Sequence, residues 1–303
     1  MIARVRLWGR TIGAVTVEEG RDHAAFQYDP GFAASGIELS PLVMPLSDRV
    51  YEFPVLSRNT FHGLPGLLAD SLPDKFGNAL IDAWLATQGR APESFGAIER
   101  LCYTGTRGMG ALEFAPALGQ RPRTATGVRI DALVRLASDV LTHRDEIRAT
   151  FAGPARQKAL NDILRVGTSA GGARAKAVIA WNRETYEVRS GQIAAGEGFA
   201  YWLLKFDGVA GNRDKELEDL KGYGAIEYAY HLMAKAAGIA MAECRLLEEG
   251  GRRHFMTRRF ERLAGGEKLH MQSLCALAHF DFNQAGAYAY EQARCDGQLA
   301  GFL

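Results

Sequence analysis

The sequence has no run of 18 apolar residues, no C-x-x-C pair and no cluster of cysteine and histidine at zinc spacing. Each absence removes a class. Without a long apolar run, no segment reads as a membrane-spanning helix. The four cysteines, Cys102, Cys244, Cys275 and Cys295, stand far apart among 303 residues. That spacing argues against a zinc site or a disulfide framework, and for free thiols in a reducing compartment. Net charge is nearly absent too: 36 basic against 35 acidic residues leaves +1, so no global field draws the chain to nucleic acid or lipid. The opening M-I-A-R-V-R-L-W-G-R lacks the apolar core of a signal peptide, and no internal repeat or low-complexity tract is visible. The expectation is a cytoplasmic globular protein that engages no membrane.

What is present suits an ordinary core, with 47% hydrophobic and 23% charged residues. The chain reads as α+β. Arg4 to Trp8, Gly13 to Val17 and Ala24 to Tyr28 form short strands between glycine and charged turns, so the N-terminal subdomain is small and β-rich. Ser71 is the expected N-cap of a helix with Pro73 in its first turn; Phe76, Leu80, Ala83 and Trp84 line its apolar face, and Gly89 stops it. A short helix follows over Ser94 to Leu101, then a glycine turn and a strand. These elements fill residues 1–120. Residues 121–150 hold a polar linker and an amphipathic helix beginning at Ile130, and residues 151–303 form a second domain. There the spacing predicts a helix over Ala225 to Ala237 with Ile226, Tyr230 and Met233 on one face, and a hairpin of Glu243 to Leu247 with His254 to Arg258.

The chemistry concentrates between Val166 and Phe206. Gly167-Thr168-Ser169-Ala170-Gly171-Gly172-Ala173 is a small-residue loop whose backbone N–H groups can approach an anion closely. A tight turn with no ligand would use the same residues. The loop is not a Walker sequence, because Gly172 is not followed by Lys-Ser or Lys-Thr. Gly167, Ser169 and Gly171 also match G-x-S-x-G, the nucleophile elbow of serine hydrolases, but that pattern needs a helix next, and A-K-A-V-I-A-W is β-like. The strand Ala200 to Phe206 carries Lys205 on the side opposite Trp202 and Leu204. Such a lysine is either solvated or paired, and Glu227, near the start of the next helix, is the candidate partner. Glycine loop, strand lysine and helix glutamate occur here in the order used by protein kinases. H-F-D-F-N, with Asp281 and Asn283, does not extend the likeness: a kinase loop places asparagine five residues beyond its aspartate, and that position is Gly286. It reads as a local turn.

With these residues assembled, the chain resembles the HipA toxin family, bacterial serine/threonine kinases of toxin–antitoxin modules. The stretches that carry the likeness are F-H-G-L-P-G-L-L-A-D-S-L-P-D-K-F-G, R-G-M-G-A-L-E-F, V-G-T-S-A-G-G-A-R-A-K, W-L-L-K-F, E-Y-A-Y and T-R-R-F-E-R, in the family's order. The resemblance implies ATP and Mg2+ as cofactors and the N-lobe of a protein-kinase-like domain after the β-rich subdomain. It implies a phosphate loop from Gly167 through Thr168, Ser169, Gly171 and Gly172 to Lys176, with Ser169 as a phosphorylation site. Lys205 takes the place of the nucleotide-phosphate lysine, Glu227 that of its partner, and Arg258 to Phe260 that of the strand at the adenine. The implied partners are a small helix-turn-helix antitoxin of HipB type and, through it, operator DNA. The family's N-x-D-x-H-x-x-N catalytic loop and later metal-binding aspartate have no match here. The expectation is therefore a chain cut short within the kinase-like domain, its C-lobe largely missing, inactive as a kinase; a binding module for the antitoxin is the alternative.

Overall fold

The computed structural model describes residues 1–118, 127–142, 160–164, 166–167, 174–209, 213–214, 217–218, 221–263, 266–284, 286, 289 and 291. It is a mixed helix-and-sheet fold built on two antiparallel five-stranded sheets. In the first, β1 (Ile2–Leu7), β2 (Arg10–Val17), β3 (Ala24–Tyr28), β4 (Val50–Glu52) and β5 (Leu112–Ala115) lie in the order β4-β3-β2-β1-β5. Ala3, Val5 and Leu7 alternate inward along β1 while Ile2 and Arg4 face solvent, the two-residue period of a sheet with one covered face. Three short helices, α1 (Pro30–Ala33), α3 (Gly66–Ala69) and α5 (Ala97–Thr104), supply cover for it, and α2 (Arg58–Phe61) packs on α3. Phe32, Leu67, Leu68, Ile98 and Leu101 join Phe26, Tyr28 and Phe114 in one core. The α5 helix starts three residues later than the sequence predicts, after a 3-10 turn at Pro92–Ser94.

The long helix α4 (Lys75–Thr87) is capped by Asp74, not by the expected Ser71. The Asp74 carboxylate accepts from Gly77 N at 2.7 Å, the N3 bond that defines a cap. Ser71 is instead buried upstream. The α4 helix turns its apolar face away from the first sheet. Phe76, Leu80 and Ile81 pack in a second core with Leu133, Val134 and Ala137 of α6 (Ile130–Thr142) and with the second sheet.

That sheet runs β11-β12-β8-β6-β7, with β6 (Lys176–Asn182), β7 (Val188–Ser190), β8 (Phe199–Lys205), β11 (Cys244–Glu249) and β12 (Arg252–Arg258). Two-residue strands β9 (Arg213–Asp214) and β10 (Leu217–Glu218) pair separately. Ala177, Ile179, Trp181, Trp202, Leu204 and Met256 form its covered face. Each such burial contributes roughly 1.5–3 kcal/mol for the larger side chains, so this shared core ties α4 and α6 to the sheet's covered face. The helix α7 (Tyr223–Ala236) lies against β11 and β12.

Beyond β12 the chain returns to the N-terminal half. Lys268 Nζ donates to Thr106 O at 2.6 Å, Ser273 N and Oγ bond the Asp70 carboxylate at 2.6 and 2.8 Å, and Gly66 N donates to His279 Nε2 at 3.0 Å. The helix α8 (Leu274–Ala278) packs on α3. H-F-D-F-N forms the expected turn: Asn283 N donates to Asp281 Oδ1 at 3.0 Å, and Thr60 donates to the same oxygen from α2.

A candidate phosphate-binding site

Alternation along β8 buries Trp202 and Leu204 and leaves Lys205 on the other face, about a third exposed. Its ammonium donates to Glu227 Oε2 at 2.7 Å, the pairing expected from sequence. Three local features bring Glu227 there. Gly222, the residue just before α7, donates its N–H to Asp207 Oδ1 at 2.8 Å. Asp207 N in turn donates to His254 Nδ1 at 3.0 Å, on β12. His254 is fully buried, and burial pulls its pKa down to about 4, so at neutral pH its Nδ1 can act as the acceptor. Third, Gly224 lets α7 sit directly on β12, since a Cβ there would run into Arg253 O and lie 3.0 Å from Phe255 N.

Glu227 has a second cation. Arg174 Nη1 donates to Oε1 at 3.4 Å, and its guanidinium stacks over the Tyr223 ring at 4.0 Å. The sequence singled out neither Arg174 nor Tyr223; their only signal is place, three residues after Gly171 and four before Glu227. Two cations on one carboxylate can receive an anionic group with several oxygens.

Lys176 departs from the expectation. Read as the last residue of the phosphate loop, it is the first residue of β6, directly opposite Lys205 in register. Its side chain and that of Asp74 are only 3% and 4% exposed and form an ion pair. Burial depresses the Lys176 ammonium and raises the Asp74 carboxyl, while each partner's charge acts the other way. Like charges facing each other across two strands repel, and here each lysine has its own carboxylate.

The remaining candidates are placed as follows. Gly167 lies at the root of the loop, in a turn after the helical residues 160–164. Thr168, Ser169, Ala170, Gly171 and Gly172 lie outside the described residues, and so does the phosphorylation candidate. The hydrolase alternative is overturned: an elbow needs a strand before and a helix after, and here helical residues precede the loop and β6 follows it. Arg258 ends β12 opposite Trp202, exposed, 3.9 Å from Glu243. Phe260 follows in a turn and is 64% exposed. Among the described residues, no group of three or more His, Cys, Asp or Glu side chains could hold a metal, so they do not by themselves fit Mg2+. No described helix is long and apolar enough to cross a membrane.

Comparison with known proteins agrees with this architecture. Residues 3–115 match the family described as HipA N-terminal domain, and residues 168–300 match the HipA-like C-terminal domain. A solved structure of HipA from Shewanella oneidensis MR-1, in complex with HipB and its operator DNA, superimposes with a TM-score of 0.50 at 18% identity. The alignment covers 89% of this chain and 54% of that one, so this chain spans about half the length of the structure it matches. No curated protein matches the sequence.

Proposed function

The chain belongs to the HipA family, and we propose that these 303 residues hold the phosphates of ATP without transferring them. The observation that carries this is the Lys205–Glu227 pair at 2.7 Å, with Arg174 on the same carboxylate. Lysine suits a phosphate as a compact charge with three donors, and a carboxylate partner fixes where that charge points. Arg258 and Phe260 end the strand that would border the base, and Ser169 is the proposed modification site of the loop. Mg2+ would arrive on the nucleotide, which usually supplies much of its coordination. It would neutralise phosphate charge there, and the described side chains complete no site for it.

Transfer needs an aspartate that orients the attacking hydroxyl and side chains that hold metal. The sequence contains no N-x-D-x-H-x-x-N run, and Asp281 and Asn283 are engaged with Thr60 and Asn59 instead. The activity assigned to the family fold is serine/threonine phosphorylation as a cytoplasmic toxin. The function assigned to this chain is the cradle for it, the N-lobe of a kinase-like domain. A second reading rests on the matched HipA, solved with HipB and operator DNA: the chain binds a small helix-turn-helix antitoxin through which it reaches DNA.

Displacement of a fluorescent ATP analogue tests the first reading. Lys205→Met and Glu227→Gln should each weaken ATP binding at least tenfold, about 1.4 kcal/mol, with no labelled γ-phosphate transferred by the wild type. Unchanged binding in both variants, or transfer that Lys205→Met abolishes, would overturn it.

A further inference from the structure

Where β12 ends, exposure alternates: Arg258 and Phe260 are exposed, while Arg259 and Glu261 are only 3% and 1% exposed. The inward pair sits where the two sheets meet. Arg259 N donates to Tyr201 O of β8 at 2.9 Å, and Arg259 Nε donates to Glu261 Oε1 at 2.6 Å. Arg262 N closes a turn on Arg259 O at 3.4 Å, and the Arg262 guanidinium lies 5.9 Å from the centre of the Tyr201 ring. From the first sheet's side, Lys268, bridged to Arg262 through the backbone, pairs with Glu113 of β5 at 3.3 Å. Arg259, Arg262 and Lys268 thus face Glu261 and Glu113, three cations against two carboxylates, largely out of water.

Donors are in surplus as well as charge. Arg259 Nη1 and Arg262 Nε and Nη2 are sealed from solvent and lack an acceptor among the described residues, against one unpartnered oxygen, Glu261 Oε2. Burial, and after it the Arg259 charge, lowers the Arg262 pKa to about 10, and burial lowers that of Lys268 to about 8; both stay cations at pH 7. A guanidinium cannot shed its proton to relieve an unpaired buried site. A water molecule can join one donor to Glu261 Oε2, but it brings no charge. We infer that Arg259 and Arg262, with Lys268 beside them, form a binding site for one small inorganic monoanion of chloride's class, which ties the turn after β12 to β5 and β8. The guanidiniums supply the N–H donors, and the surplus of one positive charge sets the valence. This site is separate from Lys205 and Glu227: Arg258 and Phe260 lie on the opposite, exposed side of the same segment.

The test is urea unfolding of the full chain at pH 7 in rising chloride, with gluconate making up a constant ionic strength so that general screening is held fixed. Above its dissociation constant, an anion bound at one native site lowers the unfolding equilibrium constant about tenfold for each tenfold rise in concentration. The wild type should reach that slope. Arg262→Met, which removes one charge and two unpartnered donors, should respond less than about twofold over the same range. Arg253→Met, which removes an exposed arginine of β12, should keep the wild-type slope. A flat wild-type response, an unchanged slope in Arg262→Met, or a slope with phosphate and none with chloride would overturn the inference. If Arg262→Met does not fold, wild-type crystals grown in bromide decide the matter. An anomalous peak within hydrogen-bond distance of Arg259 Nη1 and Arg262 Nε or Nη2 supports the site, and water or empty density there overturns it.

Discussion

At the scale of single residues, His254 is linked to the site through hydrogen bonds. It accepts from Asp207, which holds the start of α7, which carries Glu227. Burial holds its pKa at about 4, against about 6.5 in an unfolded chain. The sign follows: above pH 6.5 both states are neutral, and as pH falls toward 4 the unfolded state takes up a proton that the native state refuses. Stability is therefore lost across that window, by up to roughly 3 kcal/mol. His254→Asn keeps an acceptor near the Nδ1 position and removes the titration, so chemical denaturation at pH 7 and pH 4.5 should show a smaller drop for the variant. An equal drop in both would refute the assignment. Lys205 and Glu227 were legible in the sequence because each follows from a local period, the strand's alternation and the helix's first turns. Asp74, Arg174 and His254 were not, because their roles depend on partners brought close only by folding.

At the scale of elements, α7 reverses its own pattern. Ile226, Tyr230 and Met233 share a face as predicted, but that face is exposed, Tyr230 by 66%. The helix buries Gly224 and His231 instead. Periodicity gives an apolar stripe and does not say what covers it. Met233→Ser and Tyr230→Ser should each change unfolding free energy by less than about 0.5 kcal/mol, whereas Gly224→Ala should cost about 1–3 kcal/mol and move Glu227 off Lys205. Urea titrations separate the two classes, and a costly Met233→Ser would show that the stripe is covered. The strands were the most readable elements, since β1, β3, β8, β11 and β12 fall where alternation and turns put them. The start of α4 was missed because serine and aspartate cap equally well, and only the bond to Gly77 distinguishes them.

At the scale of the molecule, packing threads twice across the boundary that composition leads one to expect near residues 121–150. The α4 helix enters the second core, and residues 266–284 return to the first sheet's side. A polar linker can be read from sequence, but the place where a helix docks cannot. The central claim is that this framework delivers Lys205 to a phosphate. Isothermal titration of the chain with Mg·ATP and with adenosine tests it most directly. The wild type should bind ATP at least tenfold more tightly than adenosine, and Lys205→Ala should close that gap. Equal affinities in the wild type, or a gap that survives in Lys205→Ala, would contradict the account.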